Sequence, residues 1–397
     1  MKKHRILMAS TIVLNIGLSP LSVAAAPKVD LVQMTEASEA VDAIRAPREW
    51  ANPVPVLHDL SEEMEERLPI EDEWTEDEWQ DEASSAAAYQ TEAVGREGDQ
   101  SGVWGEVEWR YDDSTGTIHL GEGQSGVFSA STLNTRPWVI VGEANVRKLV
   151  VHVTIRLPAD SSSYFRHMQN LEEIVNSGNL DMSRVTSMSS MFYDAYALNE
   201  LDVSSWDTSQ VTSMYALFYG CWALTSLDLS NWDTSRVRNL DHMFNNSRSM
   251  TSLDLSSFDT SRVTSMDRMF IGCHSLISLN VGSFDTSSVT SMNSLFNNCR
   301  SLINLDISNF DTSSVEIMTS MFSGTVRLTD LDLSHFDTSN VWTMASMFSG
   351  ATGLTSLDLS SFDTSSVTTM ANMFSGATGL ADLDISNFDT SKVTTMV

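Results

Sequence analysis

Aspartates at a fixed position of a repeated LDLS segment are the residues best placed to bind a ligand. Seven copies carry Asp there and one carries Asn280: Asp202, Asp228, Asp254, Asp306, Asp332, Asp358 and Asp384. If the segments stack as strands, these carboxylates lie about 5 Å apart and repel one another unless they are screened, protonated or bridged by cations. Two interpretations stay open. The column is either a face that binds a cationic protein surface or divalent ions, or a stripe that only keeps the protein soluble.

A second aspartate column lies in an aromatic-Asp-Thr-Ser motif, and here a structural role is favoured. Its members are Asp181, Asp207, Asp233, Asp259, Asp285, Asp311, Asp337, Asp363 and Asp389. Asp, Thr and Ser suit turns and helix N-termini, where a side-chain oxygen accepts a hydrogen bond from a backbone N–H. Calcium binding is the alternative, although the glycine-rich nonapeptide of calcium-binding β-rolls is absent.

The sequence carries no enzyme signature and predicts neither catalysis nor a cofactor. The histidines share no repeat position, and HExxH, P-loop and GxSxG motifs are all absent. Cys273 and His274 are neighbours in the chain, which does not place them as a nucleophile and its base. Paired aspartates would need unequal environments to act as acid and base, and the repeat gives no reason to expect them.

A strict 26-residue repeat determines the elements that position these side chains. It runs from about Leu171 to the end of the sequence, and the copies have one valine in common: Val185, Val211, Val237, Val263, Val289, Val315, Val341, Val367 and Val393. The alternation of LTSLDLS in one copy, 354–379, predicts a strand. The spacing of Val367, Met370 and Met373 predicts one or two helical or 3₁₀ turns facing the same core.

A unit of this size cannot bury its own apolar face, so the copies must stack into one continuous core. The sequence therefore predicts an α/β solenoid of the leucine-rich-repeat kind. Each unit is expected to be strand, turn and short helix, with all strands in one parallel sheet.

The sulfur-containing residues follow the repeat and indicate packing. Eight of nine copies have Met at one position and the ninth has Leu240, which favours a core site over a metal-thioether site. Cys221, Cys273 and Cys299 share a position otherwise occupied by Ala, Ser or Thr, which predicts a tight site. A disulfide between Cys273 and Cys299 is an open alternative, although parallel stacking makes its dihedral angle awkward.

Charge and the N-terminal segments indicate export. The 397 residues include 23 Lys and Arg against 53 Asp and Glu, and the net charge of −30 argues against nucleic acid or an anionic membrane as partner. A basic start, an uncharged apolar stretch over 6–23 and three alanines predict a signal peptide over residues 1–26, with a retained anchor as the alternative. No second apolar stretch of membrane length follows, so the mature chain is not expected to insert into a membrane.

Two further regions precede the repeats. Residues 27–100 carry a net charge of −16 and are predicted to be a disordered acidic linker, with a docking motif around Trp50, Trp74 and Trp79 as the alternative. Residues 101–160 predict a small β-rich cap on the open end of the solenoid, which would occupy 161–397. Within the cap, 103–111 and 117–120 predict a hairpin, and 137–141 and 148–157 predict further strands.

The repeats, of the type LTSLDLSSFDTSSVTTMANMF, resemble those of the BspA-like leucine-rich-repeat surface proteins of bacteria. The preceding WGEVEWRYDDSTGTIHLGEG and LPADSSSYFRHMQNLEEI segments extend the resemblance over about residues 102–397. It implies a secreted, cell-surface protein that adheres to a host or community extracellular protein, which the negative charge predicts to have a basic surface.

Because the sequence stops in mid-repeat without an anchor, we expect it to be a fragment of a longer protein. Two alternatives to adhesion follow. The array is a structural spacer presenting a missing C-terminal domain, or it is a calcium-stabilised repeat.

Overall fold

The repeats form a parallel solenoid, as the sequence predicts. The computed structural model describes residues 98–130, 135–381 and 383–395, so the predicted signal peptide and all of the predicted linker except residues 98–100 lie outside the described residues. The conserved valines from Val185 to Val367 are fully buried, and Leu240 is as buried as the methionines that share its position. The predicted packing role of these methionines is therefore confirmed.

Regular elements are short and concentrated before the repeats. The strands are β1 (Gln100–Trp104), β2 (Val107–Asp112), β3 (Thr117–Leu120), β4 (Val127–Ser129), β5 (Lys148–Val151), β6 (Thr154–Arg156), β7 (Glu173–Val175), β8 (Leu180–Asp181), β9 (Ser252–Asp254) and β10 (Ser278–Asn280). The described residues also contain one α-helix, α1 (Pro137–Val141), and two 3₁₀ helices, Glu143–Asn145 and Ser177–Asn179. No described helix combines the length and the apolar character needed to cross a membrane.

The cap and the first rungs share their sheets. One sheet has the order β1-β2-β3-β5-β7, in which β1 to β3 are antiparallel and β3, β5 and β7 are parallel. A second sheet, β4-β6-β8, is parallel throughout. Parallel stacking therefore begins at β3, before the first recognisable sequence repeat.

The structure confirms the pairing of the β2–β3 hairpin but corrects three details of the cap. A turn at Gly105 and Glu106 splits the predicted strand 103–111 into β1 and β2. The predicted strand 148–157 is interrupted between β5 and β6. The predicted strand 137–141 is instead helix α1, because proline suits the first helical turn and Trp138 is buried, 5.4 Å from the ring of Trp104.

The predicted short helix of each repeat is wrong, and a ladder of inter-rung hydrogen bonds takes its place. In one rung, the N–H groups of Met318, Ser320, Phe322 and Gly324 donate to carbonyls of the next rung at 2.7–3.1 Å. The intervening N–H groups of residues 321 and 323 donate three residues back. Isolated parallel bridges connect successive rungs on this side from Asp160 to Thr395. We call residues 318–324 and their equivalents the ladder segment.

Two residues of each ladder segment prevent the helix because their backbone is left-handed. In the same rung they are Ser320, with φ of 54°, and Gly324, with φ of 70°. The second position holds His, Asp, Asn or Gly in every rung, which apart from His are the residues that enter this region most readily. A left-handed residue turns alternate N–H groups toward the neighbouring rung instead of along a helix axis.

The predicted alternation of the LDLS segment is confirmed. Leu357 and Leu359 are buried, whereas Ser356, Asp358 and Ser360 are exposed. Among the described repeats after β8, however, regular strand pairing in this segment occurs only between β9 and β10. We call residues 329–334 and their equivalents the acidic segment.

Candidate interaction surface

All seven aspartates of the first column lie on the exposed side of the acidic segment. In each, Oδ1 accepts a hydrogen bond from the backbone N–H two residues later, at 2.9–3.1 Å. The residue that donates this N–H is a serine in each copy, and several of these serines also donate their hydroxyl to the same aspartate, as Ser204 does to Asp202 at 2.6 Å. Asn280, which replaces Asp in one copy, donates its side-chain amide to Asp254 at 2.9 Å. We call these eight positions the acidic face.

These hydrogen bonds keep the acidic face ionised. They lower the pKa of all seven aspartates below the ordinary value, because each serine donor stabilises the charged form. Repulsion between rungs acts in the opposite direction, as Asp228 does on Asp202 and Asp332 on Asp358, but its effect is smaller. The carboxylates are therefore charged at neutral pH without a bridging cation.

The second aspartate column forms the turns that its sequence predicts. Asp259 Oδ1 accepts hydrogen bonds from the backbone N–H and the hydroxyl of Ser261, at 3.0 and 2.7 Å. The neighbouring threonine of the motif is buried and ties two rungs together. Thr312 Oγ1 donates to the carbonyl of Asp337 and accepts from the N–H of the same residue, both at 2.9 Å.

Both columns thus make the same type of turn, which the sequence predicts for the second column only. Asp259 and Asp254 have equivalent bonds to the serine two residues on. The acidic face is therefore a set of structurally fixed carboxylates, and its structural and binding roles do not exclude each other. Among the described residues, neither column brings three potential metal ligands within 4.8 Å.

Asp241 and Asp267 are two carboxylates that the repeat pattern does not single out. They occupy a position of the ladder segment at which the residue type varies between copies. Both are partly buried. Asp241 Oδ1 accepts from the Ser265 hydroxyl at 2.6 Å and from the Asp267 N–H at 2.7 Å. Burial, with a contribution from the charge of Asp267, raises the pKa of Asp241 to about 6.

A second surface that sequence analysis misses is aromatic and cationic. One repeat position holds, in successive copies, Tyr196, Trp222, Arg248, His274 and Arg300. The rings of the first two stack with centroids 4.1 Å apart, and the Arg248 guanidinium lies 4.7 Å from the Trp222 centroid. Trp222 is 39% exposed. The signal was present in the sequence as a column of large side chains at a position that later copies fill with Val326, Thr352 and Thr378.

The cysteines occupy tight sites, as predicted, and are unpaired. Cys221, Cys273 and Cys299 are all buried, and no disulfide joins the last two. The thiol of Cys273 donates to the carbonyl of Phe244 at 3.2 Å, and burial raises its pKa to about 12. Such a thiol is a poor nucleophile at neutral pH, so the structure gives no support to a Cys273–His274 pair.

The chain matches the sequence model of one protein family and resembles several solved structures. The sequence model of the family described as "Mycoplasma protein of unknown function, DUF285" matches residues 159–278, 266–357 and 326–397. No curated protein matches the chain significantly.

The structural matches are distant. A leucine-rich repeat protein from Eubacterium ventriosum is 13% identical, covers 70% of this chain and 95% of its own, and has a TM-score of 0.29. A leucine rich cell surface protein from Faecalibacterium prausnitzii is 14% identical, with coverages of 72% and 94% and a TM-score of 0.22. A Leptospira interrogans LRR protein is 15% identical, with coverages of 68% and 72% and a TM-score of 0.24.

Proposed function

The chain belongs to the DUF285 family, and we propose that it is an exported cell-surface repeat protein that binds an extracellular partner through its acidic face. The observation that carries this proposal is the set of seven exposed, ionised carboxylates repeated along the solenoid. The predicted signal peptide supports export, and the resemblance of the repeats to BspA-like surface proteins supports adhesion. The partner is a host or community extracellular protein with a basic surface.

The geometry of the acidic face suits such a partner. Each carboxylate is held by its turn before any partner arrives, so less conformational freedom is lost on binding. Within the described residues, the second oxygen of these carboxylates accepts no hydrogen bond and is available to a Lys or Arg. A row of like charges also accelerates encounter with an oppositely charged surface, and salt weakens this effect.

Binding to extracellular-matrix and serum proteins tests this proposal. The mature chain, residues 27–397, is immobilised and probed in low and high salt, with and without calcium. We expect saturable, salt-sensitive binding that weakens in the triple variant Asp254→Asn, Asp332→Asn, Asp358→Asn. The matched control, Asp259→Asn, Asp337→Asn, Asp363→Asn, removes the same charge from the second column and should bind like the parent chain. Equal binding by parent and first triple variant would exclude the acidic face.

The aromatic and cationic column is a second candidate surface, favoured by the exposure of Trp222 and its contact with Arg248. Binding that is lost in Trp222→Ala but retained in the acidic triple variant would assign the site to this column. If a folded array binds nothing in either form, the structural spacer becomes the better account. A melting temperature that rises with calcium in the parent, and not in the triple variants, would favour the calcium-stabilised repeat.

A further inference from the structure

Two histidines and a glutamate meet on the surface of the cap, outside the sequence repeats. His119 lies on β3, Glu122 follows the end of β3, and His152 follows the end of β5. Because β3 and β5 pair in parallel, their ends meet at the same edge, and the N–H of His152 donates to the carbonyl of Leu120 at 2.9 Å. The parallel register therefore brings together two imidazoles that are 33 residues apart in sequence.

Gly121 places the third member of this group. Its φ of 72° turns the chain directly after β3, and a Cβ at this position would lie only 2.2 Å from a methyl group of Val153. Only glycine fits both the backbone and the space. The turn returns Glu122 toward the two histidines instead of letting the chain continue along the strand.

The potential ligand atoms of this group lie close enough together for side-chain rotation to complete a metal site. The Nδ1 atom of His119 and the Nε2 atom of His152 are 3.0 Å apart and share a hydrogen bond, and one potential ligand atom from each of the three residues lies within 4.8 Å of the other two. In a tetrahedral zinc site with bonds of about 2.0–2.1 Å, neighbouring ligand atoms are roughly 3.3 Å apart. We propose that His119, His152 and Glu122 bind a zinc ion, for which the two imidazoles give up their mutual hydrogen bond and Glu122 closes on the ion by rotation of its side chain.

The surrounding charges are compatible with such an ion. A metal needs neutral imidazoles as ligands. Arg110 forms an ion pair with Glu122 at 2.9 Å, and its hydrogen bond keeps that carboxylate ionised. Imidazole with one carboxylate favours zinc over calcium or magnesium, which prefer all-oxygen sites. Three protein ligands leave one position for water or for a partner's side chain.

The bound ion would connect the antiparallel cap to the first parallel pair of the solenoid. Its effect on stability would follow from binding to the folded chain alone, since the unfolded chain does not hold the three residues together. This site does not depend on the acidic face, and its failure would leave the proposed function unchanged.

Calorimetric titration of the mature chain with zinc chloride tests the site, with thermal unfolding as the second readout. We expect one equivalent of zinc to bind at this site and to raise the melting temperature. Affinity should fall at least about tenfold in each of His119→Ala and His152→Ala. His335→Ala removes an exposed imidazole outside the group and should leave the zinc affinity unchanged. X-ray absorption at the zinc edge should show two imidazole ligands.

Absence of zinc binding to the parent chain would overturn the proposal, as would equal binding by the parent and by a variant that combines His119→Ala with His152→Ala. Because His119 is partly buried, a loss of zinc binding in His119→Ala does not by itself distinguish a lost ligand from a fold defect. His152→Gln changes an exposed side chain and keeps the test valid if circular dichroism shows the fold intact. Retained zinc affinity in that folded variant would also contradict the site.

Discussion

The ladder segment and the acidic segment of the same rung are stabilised in different ways. In residues 318–324, four backbone N–H groups donate to the next rung and two more close turns within the rung. In residues 329–333, no N–H group donates a backbone hydrogen bond to another described residue. The acidic segment instead depends on buried leucines and on side chains, such as Asp332, that bond to its own backbone.

This difference explains where the repeat tolerates variation. At one partly buried ladder position, successive copies hold Ser189, Tyr215, Asp241, Asp267 and Asn293, since the backbone hydrogen bonds between rungs do not depend on the side chain there. The acidic segment keeps its Asp and Ser in almost every copy, because those side chains form its turns. A conserved-looking residue in such an array thus indicates a structural contact first, and the acidic face combines that contact with exposed charge.

The largest expected effect comes from the aromatic stack beneath the ladder. The Phe322 ring is fully buried between Phe296 and Phe348, with centroids 5.7 Å away on both sides. Phe322→Ala should lower the free energy of unfolding by about 3–5 kcal/mol, measured by denaturant titration. Phe322→Leu is the control and should cost clearly less. A loss below about 1 kcal/mol for the alanine variant would show that the ladder does not depend on this stack.

A smaller effect is expected for the buried threonine that connects the turns of two rungs. Thr312→Val has nearly the same shape but leaves the N–H and carbonyl of Asp337 without this partner. We expect a loss of about 1–3 kcal/mol in the free energy of unfolding. Thr312→Ser retains the hydroxyl and should lose less. Equal losses in the two variants would assign the effect to packing.

The next effect depends on pH and tests the variable ladder position. The pKa of Asp241 is about 6 in the folded chain, above its ordinary value of 3.8, so the folded state binds the proton more tightly. Its contribution to stability is therefore present at low pH and is lost as pH rises from about 4 to 6. Asp241→Asn should stabilise the fold at pH 7 by about 1–2 kcal/mol, after allowing for partial exposure, and should gain nothing below pH 4.

Thermal unfolding of the parent and Asp241→Asn across pH 3–8 checks this expectation. Asp207→Asn is the control, since its exposed carboxylate forms an ordinary turn at 3.0 Å with Ser209. A stabilisation by Asp241→Asn that is independent of pH would contradict the electrostatic explanation.

The smallest effect on stability is expected on the acidic face itself. Asp358→Asn keeps an oxygen that can accept the N–H of Ser360, now bonded at 3.0 Å, and should change stability by less than about 0.5 kcal/mol. Asp358→Ala removes the acceptor and should cost about 0.5–2 kcal/mol, as the loss of a helix cap does. Equal stabilities of the two variants would show that the turn does not need its side-chain acceptor.

Periodicity predicts the solenoid, its buried columns and the exposure of the first aspartate column. It does not distinguish a short helix from the ladder, because both place Val367, Met370 and Met373 on one face. The deciding residues are left-handed, as at Ser346 and Gly350, and the available signal was the Asp, Asn or Gly at the second of these two positions.

The remaining features depend on residues that occur once. The meeting of His119 and His152 requires the register of β3 and β5, which repeat analysis does not supply. The raised pKa of Asp241 likewise depends on neighbours in the next rung. The repeat pattern therefore predicts the features that its copies share. Functional groups that occur in only one copy are located only by their contacts in the three-dimensional structure.

Native-state hydrogen exchange tests most directly the claim that, in the rung of residues 318–334, backbone bonds to the next rung hold the ladder segment and side chains hold the acidic segment. Mass spectrometry of peptides covering residues 318–324 and 329–334 compares the two segments within one rung. We predict markedly slower exchange in 318–324, because its amides bond to the next rung. Equal exchange, or slower exchange in 329–334, would contradict the account.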